Sequence, residues 1–228
     1  MNIALVIDDP ARLDFVIYEL LKDTRELDNL FGMHAYQGDY KGSLVKVFFI
    51  GSNKDSVALR TEDLFLFEDL DLIVNVGYCY CWHDSKRVHD GDHVLVTAVK
   101  CDNDYRSLLN LNDFQNKKSL ELDKRLEKRI LDLSKKYVEN LMPVSCYSVS
   151  NVFGAPPLPS GKITSPCFDK KAFALYEIAL RHNRDMICLY AVRDPGFLDV
   201  QHYLLEKRQS DLDCLIRLAL EFIFRCSC

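Results

Sequence analysis

The sequence predicts a single α/β domain. Predicted strands and helices alternate along the whole chain, most of the strands are short and almost entirely apolar, and no repeat, low-complexity tract or linker divides residues 1–228. A continuous apolar run is typical of a strand that is covered on both faces. Alternation of such strands with helices indicates an α/β architecture, and a chain of 228 residues suits one domain.

Composition excludes several classes of protein. The net charge is −5 and the isoelectric point is about 5.7, whereas a general nucleic-acid binder usually presents a basic face. No window approaches the roughly 18 uninterrupted apolar residues that span a bilayer. The opening MNIALVIDDP lacks a basic segment and soon meets acids, so it does not predict a signal peptide. We therefore expect a cytoplasmic protein that binds neither nucleic acid nor membranes.

The N-terminal part of the chain predicts four strands and two helices. Asp9 is a good N-cap and Pro10 suits the first helical position, so a helix is expected directly after the first strand. A second helix is expected near Asp55–Leu66, after a polar loop, and Gly38–Gly42 is rich in turn residues. The predicted strands are Asn2–Ile7, Leu44–Ile50, Asp71–Val76 and His93–Val99.

The middle of the chain alternates irregular and regular segments. Cys101–Lys118 is polar and poorly patterned, which indicates a surface excursion. Ser119–Leu141 carries apolar residues on one side, as in a surface helix, and Pro143–Ser150 predicts a strand. Asn151–Pro166 holds four of the seven prolines, so we expect an irregular loop, long enough to suggest a functional role.

The last third predicts a helix over Phe168–His182, a buried strand over Asp185–Val192 and a final helix over Leu204–Phe224. Asp194 follows the strand. In α/β sheets ligands bind beyond the carboxyl ends of strands, which makes Asp194 a candidate functional acid. The alternative interpretation is that Asp194 caps the turn that follows.

Two segments, DLIVNVG and then GDHVLVT, resemble the paired motifs VxNxG and GDxVxx of the nucleoside phosphorylase superfamily, and in particular its methylthioadenosine/S-adenosylhomocysteine nucleosidases. The opening MNIALVI, the Gly51 loop and the block from Lys171 to Asp194 follow in the expected order. This resemblance covers nearly the whole chain. It implies a central mixed twisted sheet flanked by helices, a purine nucleoside or nucleotide as ligand, a homodimer or larger homo-oligomer, and no cofactor.

The resemblance also implies roles for individual residues. Asp194 matches the late acid that helps to protonate the purine, and it is the predicted catalytic residue. Phe153 stands where the family stacks an aromatic ring on the base. The predicted substrate-binding residues are Phe153, Asp169, Lys171, Arg193, Gly77 and Tyr78.

Several positions depart from the family pattern. Lys171 replaces the Glu that usually holds the ribose hydroxyls, and a lysine cannot accept a hydrogen bond. Arg12 stands where the water-activating Glu is expected, although Asp8 and Asp9 are alternative carboxylates. Tyr78 begins a bulky run, YCYCW, where the family has a turn of small residues.

Two further residues have open interpretations. Asp169 supplies a carboxylate to the ligand, or it is a solvated acid in the first turn of a helix. Arg193 and Lys171 pair with Asp194 and lower its pKa, or the two cations bind a phosphorylated nucleoside.

Two functions follow from this pattern: a nucleoside-binding protein with a degenerate catalytic set, and an active N-glycosidic hydrolase or phosphorylase that uses Asp194 as its acid. No metal site is predicted. The spacing of Cys79, Cys81 and His83, with His89 nearby, is not a common structural zinc pattern.

Overall fold

The computed structural model describes residues 1–27, 32–51, 54–82, 85–101, 119–149, 165–194 and 205–227. Within these ranges the chain forms ten strands and five α-helices, and a π-helical turn, Val16–Leu20, extends the first helix. The strands are β1 (Ile3–Ile7), β2 (Lys22–Glu26), β3 (His34–Tyr40), β4 (Ser43–Phe49), β5 (Leu72–Cys81), β6 (His93–Cys101), β7 (Leu120–Glu121), β8 (Leu141–Ser148), β9 (Cys167–Asp169) and β10 (Asp185–Arg193). The helices are α1 (Pro10–Phe15), α2 (Lys54–Phe67), α3 (Lys124–Ser134), α4 (Ala172–Arg181) and α5 (Leu205–Ser227).

A single mixed sheet organises these elements, as predicted. The strand order is β10-β6-β8-β9-β5-β1-β4-β3-β2, and β7 pairs with β6. Because β10 also pairs with β5, five strands close into a ring. Strands β1, β4, β3 and β2 extend from β5 as an open sheet. Strands β1, β5 and β10 run parallel to one another, so their carboxyl ends meet at one edge of the sheet.

The long apolar strands were predicted correctly, because their burial follows from composition alone. All five residues of β1 are buried, and so are most residues of β5 and β10. The cap of α1 is also confirmed, since the Asp9 carboxylate accepts a hydrogen bond from the Ala11 amide at 3.0 Å.

Strand β5 is longer than predicted. The sequence predicted a strand over Asp71–Val76, but the strand continues to Cys81. Tyr78–Tyr80 pair with the end of β10, and Tyr80–Cys81 pair with β9. These partners satisfy the backbone groups, and an aromatic, cysteine-rich run suits a pleated and partly buried surface.

Two helix predictions were too long. Phe168 lies in β9, opposite Tyr80, and α4 begins only at Ala172. Within Ser119–Leu141 the helix is restricted to Lys124–Ser134, because Asp123 caps its start through the amides of Arg125 and Leu126.

The N-terminal hairpin was also misjudged. Strands β2 and β3 were not predicted, and β3 includes much of the turn-rich Gly38–Gly42 segment. The turn itself lies at Lys41–Gly42, where both residues have positive φ. Among the described residues no helix is both long enough and apolar enough to cross a membrane.

Candidate active site

The candidate site lies where the carboxyl ends of β1, β5 and β10 meet the start of α4. Gly77 of β5 is opposite Tyr190 of β10, and Asp8 directly follows β1. Lys171 is the residue before α4. Sheet pairing therefore brings together residues that are far apart in the sequence, at the edge where α/β sheets bind ligands.

Asp8 and Lys171 form a buried ion pair. The Lys171 ammonium contacts the Asp8 carboxylate, and the two side chains are only 6% and 5% exposed. Apart from this contact, neither Asp8 oxygen has a hydrogen-bond donor within the described part of the chain. Burial lowers the pKa of Lys171 to about 7, although the interaction with Cys188 acts in the opposite direction.

The Asp8 carboxylate of this ion pair lies directly over Gly77, which has no side chain. A Cβ atom added at Gly77 would lie 1.4 Å from Oδ2 and 2.3 Å from Cγ of Asp8, so the carboxylate rests directly on bare backbone. Gly77 is one of the predicted substrate-binding residues. In the structure the Asp8 side chain occupies the surface above Gly77.

Asp169 is buried, so the interpretation of a solvated first-turn acid is wrong. It ends β9 and is 1% exposed. Its carboxylate accepts hydrogen bonds from the Ser148 hydroxyl at 2.6 Å, the Ala172 amide at 2.7 Å and the Tyr190 hydroxyl at 3.2 Å. Burial raises the pKa of Asp169 to about 6, although the hydrogen bonds from Ser148 and Ala172 act in the opposite direction.

The Asp169 network fixes the start of α4. The Ser148 hydroxyl also accepts a hydrogen bond from the Phe173 amide at 2.9 Å, so two amides of the first helical turn are satisfied by side chains. Lys171 lies beside the same network, with its ammonium 5.6 Å from the centre of the Tyr190 ring. The backbone that carries Lys171 is therefore held by buried hydrogen bonds.

Arg193 and Tyr78 form a stacked pair at the ends of β10 and β5. The guanidinium carbon lies 3.5 Å from the centre of the Tyr78 ring. Burial raises the pKa of Tyr78 to about 12, although the positive charge of Arg193 acts against the shift, so the phenol stays protonated at neutral pH.

Asp194 lies just beyond Arg193 and is partly exposed. Its backbone amide donates a hydrogen bond to the Asp90 carboxylate at 3.0 Å. The expected pairing of Lys171 and Arg193 with Asp194 is wrong, because Lys171 contacts Asp8 and Arg193 stacks on Tyr78.

Arg12, the second cation in a position where the family has an acid, is also neutralised. Its guanidinium donates a hydrogen bond to Asp213 of α5 at 2.6 Å, and the Arg12 side chain is 10% exposed. Both basic replacements are thus matched by a carboxylate from another element.

Phe153 and the loop around it lie outside the described residues, so the predicted aromatic contact with a base stays a prediction. The described residues include an aromatic cluster formed by Trp82, Phe168 and Val149 with their neighbours. Trp82 packs on Phe168 with 4.3 Å between ring centres, and its indole N–H donates to the Ser165 carbonyl at 3.0 Å. In the described ranges no three His, Cys, Asp or Glu side chains are grouped so that they could hold a metal ion.

The chain was compared with family models, with curated proteins and with solved structures. No family model matches the chain. Curated relatives include purine nucleoside phosphorylases of the DeoD type. That of Oceanobacillus iheyensis is 22% identical over 95% of this chain and 92% of the relative, and that of Streptococcus gordonii is 25% identical over 93% and 89%.

Solved structures with the same fold include three proteins. A 5′-methylthioadenosine/S-adenosyl homocysteine nucleosidase of Campylobacter jejuni has a TM-score of 0.80 and 13% identity, over 97% of both chains. A purine nucleoside phosphorylase of Toxoplasma gondii in complex with immucillin-H has a TM-score of 0.78 and 15% identity, over 96% of this chain and 88% of the other. A futalosine hydrolase mutant of Helicobacter pylori has a TM-score of 0.73 and 12% identity, over 97% of this chain and 99% of the other. The chain resembles the nucleoside phosphorylase superfamily in sequence and in fold. Its sequence relatives above are phosphorylases, whereas the solved structures include nucleoside hydrolases as well, so the similarities do not choose between the branches.

Sequence reasoning missed several residues of the candidate site. Asn75, Ser148 and Tyr190 belong to the buried polar network, and Asp213 neutralises Arg12. Of these residues, Asn75 could have been recognised from the sequence. A polar amide inside the apolar strand DLIVNV is unusual and needs a hydrogen-bond partner. Its side chain donates to the Tyr190 hydroxyl at 3.4 Å.

Proposed function

We propose that residues 1–228 act as one purine nucleoside-binding domain with a degenerate catalytic set, poor or inactive on methylthioadenosine and S-adenosylhomocysteine. The observation that carries this proposal is the buried Asp8–Lys171 pair on Gly77. It replaces an acceptor carboxylate with a cation on the ribose side of the pocket and places a side chain on the backbone surface that a ligand would approach.

The chemistry of hydrolysis explains why this replacement matters. A water molecule that attacks the anomeric carbon needs a base, and the ribose hydroxyls need acceptors. Lys171 offers donors only, and Arg12 is paired with Asp213. Loss of a general base typically costs about 10²- to 10⁴-fold in rate, so loss of two carboxylates leaves little activity.

The second candidate is an active N-glycosidic hydrolase or phosphorylase with Asp194 as general acid. The observation in its favour is the place of Asp194, at the carboxyl end of β10 beside the other candidate residues. Asp8 would then have to supply the base, which requires it to leave Lys171.

One experiment separates these candidates. Adenine release from methylthioadenosine and from S-adenosylhomocysteine is measured for the wild type, for Asp194→Asn and for the control Asp132→Asn, whose carboxylate is exposed on α3. In parallel, binding of each nucleoside is measured by calorimetry and by the fluorescence of Trp82, the single tryptophan.

If the catalytic set is degenerate, we expect each of the three proteins to bind the nucleosides and none of them to release adenine. Release by the wild type and by Asp132→Asn, reduced about 10²-fold or more in Asp194→Asn, would support the enzyme instead. Absence of both binding and release would refute the nucleoside site itself.

We further propose that the protein self-associates through the outer face of α2. The resemblance implies a homodimer or larger oligomer, and three large apolar residues of this helix are mostly exposed: Leu59 (63%), Leu66 (59%) and Phe67 (59%). Location in the cytoplasm, and the lack of any nucleic-acid or membrane partner, stay predictions from composition.

A further inference from the structure

Cleavage of an N-glycosidic bond has two possible co-substrates. In phosphorolysis a phosphate oxygen forms a bond to the anomeric carbon, the bond from that carbon to the base breaks, and the base leaves with the electron pair and takes up a proton. The products are a sugar 1-phosphate and the free base. In hydrolysis water replaces phosphate and the product is the free sugar. The first reaction requires a place for an anion beside the sugar.

In the candidate site a protein carboxylate, that of Asp8, lies where such an anion would be expected. The Asp8 carboxylate lies on the backbone of Gly77 and against the Lys171 ammonium, and both side chains are about 95% buried. Lys171 stands at the ribose side of the pocket in the resemblance that underlies the proposed function. Its charge is therefore neutralised where a phosphate would need it.

Of the two other cations at this edge of the sheet, Arg12 is already paired with a carboxylate. Arg12 is engaged by Asp213 at 2.6 Å, and Arg193 stacks on Tyr78 at 3.5 Å. A phosphate beside Asp8 would meet a like charge in a site with little water, where repulsion is weakly screened. An ionised carboxylate also has no proton to donate to a phosphate oxygen.

We propose that Asp8 is a built-in anion that excludes inorganic phosphate, so that water is the co-substrate of any bond cleavage in this site. This inference rests on the proposed nucleoside site, and it identifies Asp8 as a specificity-determining residue. The Asp8 carboxylate fills the space and repels a second anion. It is held there by the ion pair with Lys171, and it fits because Gly77 has no Cβ atom.

Phosphate binding provides the test. Inorganic phosphate is titrated by calorimetry, at ionic strength held constant with chloride, into the wild type, Asp8→Gly, Asp8→Asn and the double variant Asp8→Gly/Lys171→Met. Circular dichroism verifies that each protein is folded. Removal of the carboxylate should free Lys171 and strengthen phosphate binding about a hundredfold or more, because like-charge contacts are strongly unfavourable. The added Lys171→Met change should abolish this gain.

The outcomes are distinct. Weak or undetectable phosphate binding by the wild type, with a gain in either Asp8 variant that depends on Lys171, supports the inference. Phosphate binding by the wild type as tight as by the variants overturns it. So does the lack of any gain in both Asp8→Gly and Asp8→Asn when both proteins are folded, because the ion pair would then be purely structural. Nucleoside binding is measured separately through Trp82, so failure of the proposed function is seen as loss of that signal while the phosphate result stands alone.

Discussion

Asp169 illustrates how much of the site depends on burial that the local sequence does not reveal. In the sequence it lies in the first turn of a predicted helix, where a solvated acid is common. In the structure it ends a short strand, and its carboxylate is surrounded by Ser148, Ala172 and Tyr190. Only pairing between distant strands could reveal this environment, so the burial of Asp169 was not predictable from its neighbours.

The raised pKa of Asp169 makes stability depend on pH in a defined direction. Its pKa rises from 3.8 to about 6 on folding. Between these values the folded state binds a proton that the unfolded state has lost, so this residue contributes stability below pH 3.8 that is lost as the pH rises through about 6. Asp169→Asn resembles the protonated acid and should remove the dependence.

Urea unfolding at pH 4, 5, 6 and 7 tests this expectation. Between pH 4 and pH 7 the wild type should lose about 2–3 kcal/mol of unfolding free energy relative to Asp169→Asn. This figure follows from about 1.4 kcal/mol per pKa unit. Asp132→Asn, at an exposed position, should show no such trend. A difference that is constant with pH would show that Asp169 is ionised throughout.

Gly77 offers a second residue-scale prediction. Gly77→Ala places a methyl group within 1.4 Å of the Asp8 carboxylate and must displace it from Lys171. Breaking a buried ion pair costs about 3–5 kcal/mol, which denaturant titration would detect as a lower free energy of unfolding.

A double-mutant cycle with Asp8→Gly tests whether the loss of stability is caused by the clash with Asp8. Because the clash is with Asp8 itself, Gly77→Ala should cost at least about 1 kcal/mol less in the Asp8→Gly background. An equal cost in both backgrounds would assign the effect to the strand backbone and not to the ion pair.

At the scale of elements, prediction succeeded where burial alone decides the outcome. The apolar runs of β1 and β10 and the final helix α5 were assigned correctly, because each carries its signal within its own sequence. Strand β9 and the end of β5 exist because they pair with each other and with neighbouring strands. Such elements have little independent signal, so the sequence suggested a helix or a turn instead.

The link between α1 and α5 yields a prediction about these two helices. Arg12 is 8% exposed and Asp213 is its carboxylate partner at 2.6 Å. Asp213→Asn leaves the guanidinium charge without a counter-ion, and we expect a loss of about 1–3 kcal/mol in unfolding free energy, since Asp213 itself is partly open to solvent.

Thermal and urea unfolding of Arg12→Met, Asp213→Asn and the double variant complete this cycle. The double variant should be more stable than the sum of the two single changes predicts, because it removes the charge and its partner together. Strict additivity would show that the two side chains do not depend on each other.

At the scale of the whole molecule, the resemblance predicted the class of fold. Gly77, Lys171 and Asp194 lie at the same edge of the sheet, and their roles in ligand binding stay predictions. The resemblance could not predict the compensation, in which Asp8 and Asp213 neutralise the two basic replacements. Each of these pairs joins segments that are remote in sequence, and a cation in isolation gives no indication of which acid will face it.

Self-association is the remaining whole-molecule prediction. The inner face of α2 is buried through Val57, Thr61 and Leu64, whereas Leu59 and Leu66, seven residues apart, are both mostly exposed. Light scattering coupled to size exclusion should show the wild type as a dimer or larger. Leu59→Glu/Leu66→Glu should convert it to a folded monomer, because burying two carboxylates in an apolar interface is unfavourable. Leu44→Glu is the matched control, since that leucine is 62% exposed on β4. A monomeric wild type, or dissociation caused equally by Leu44→Glu, would rule out α2 as the interface.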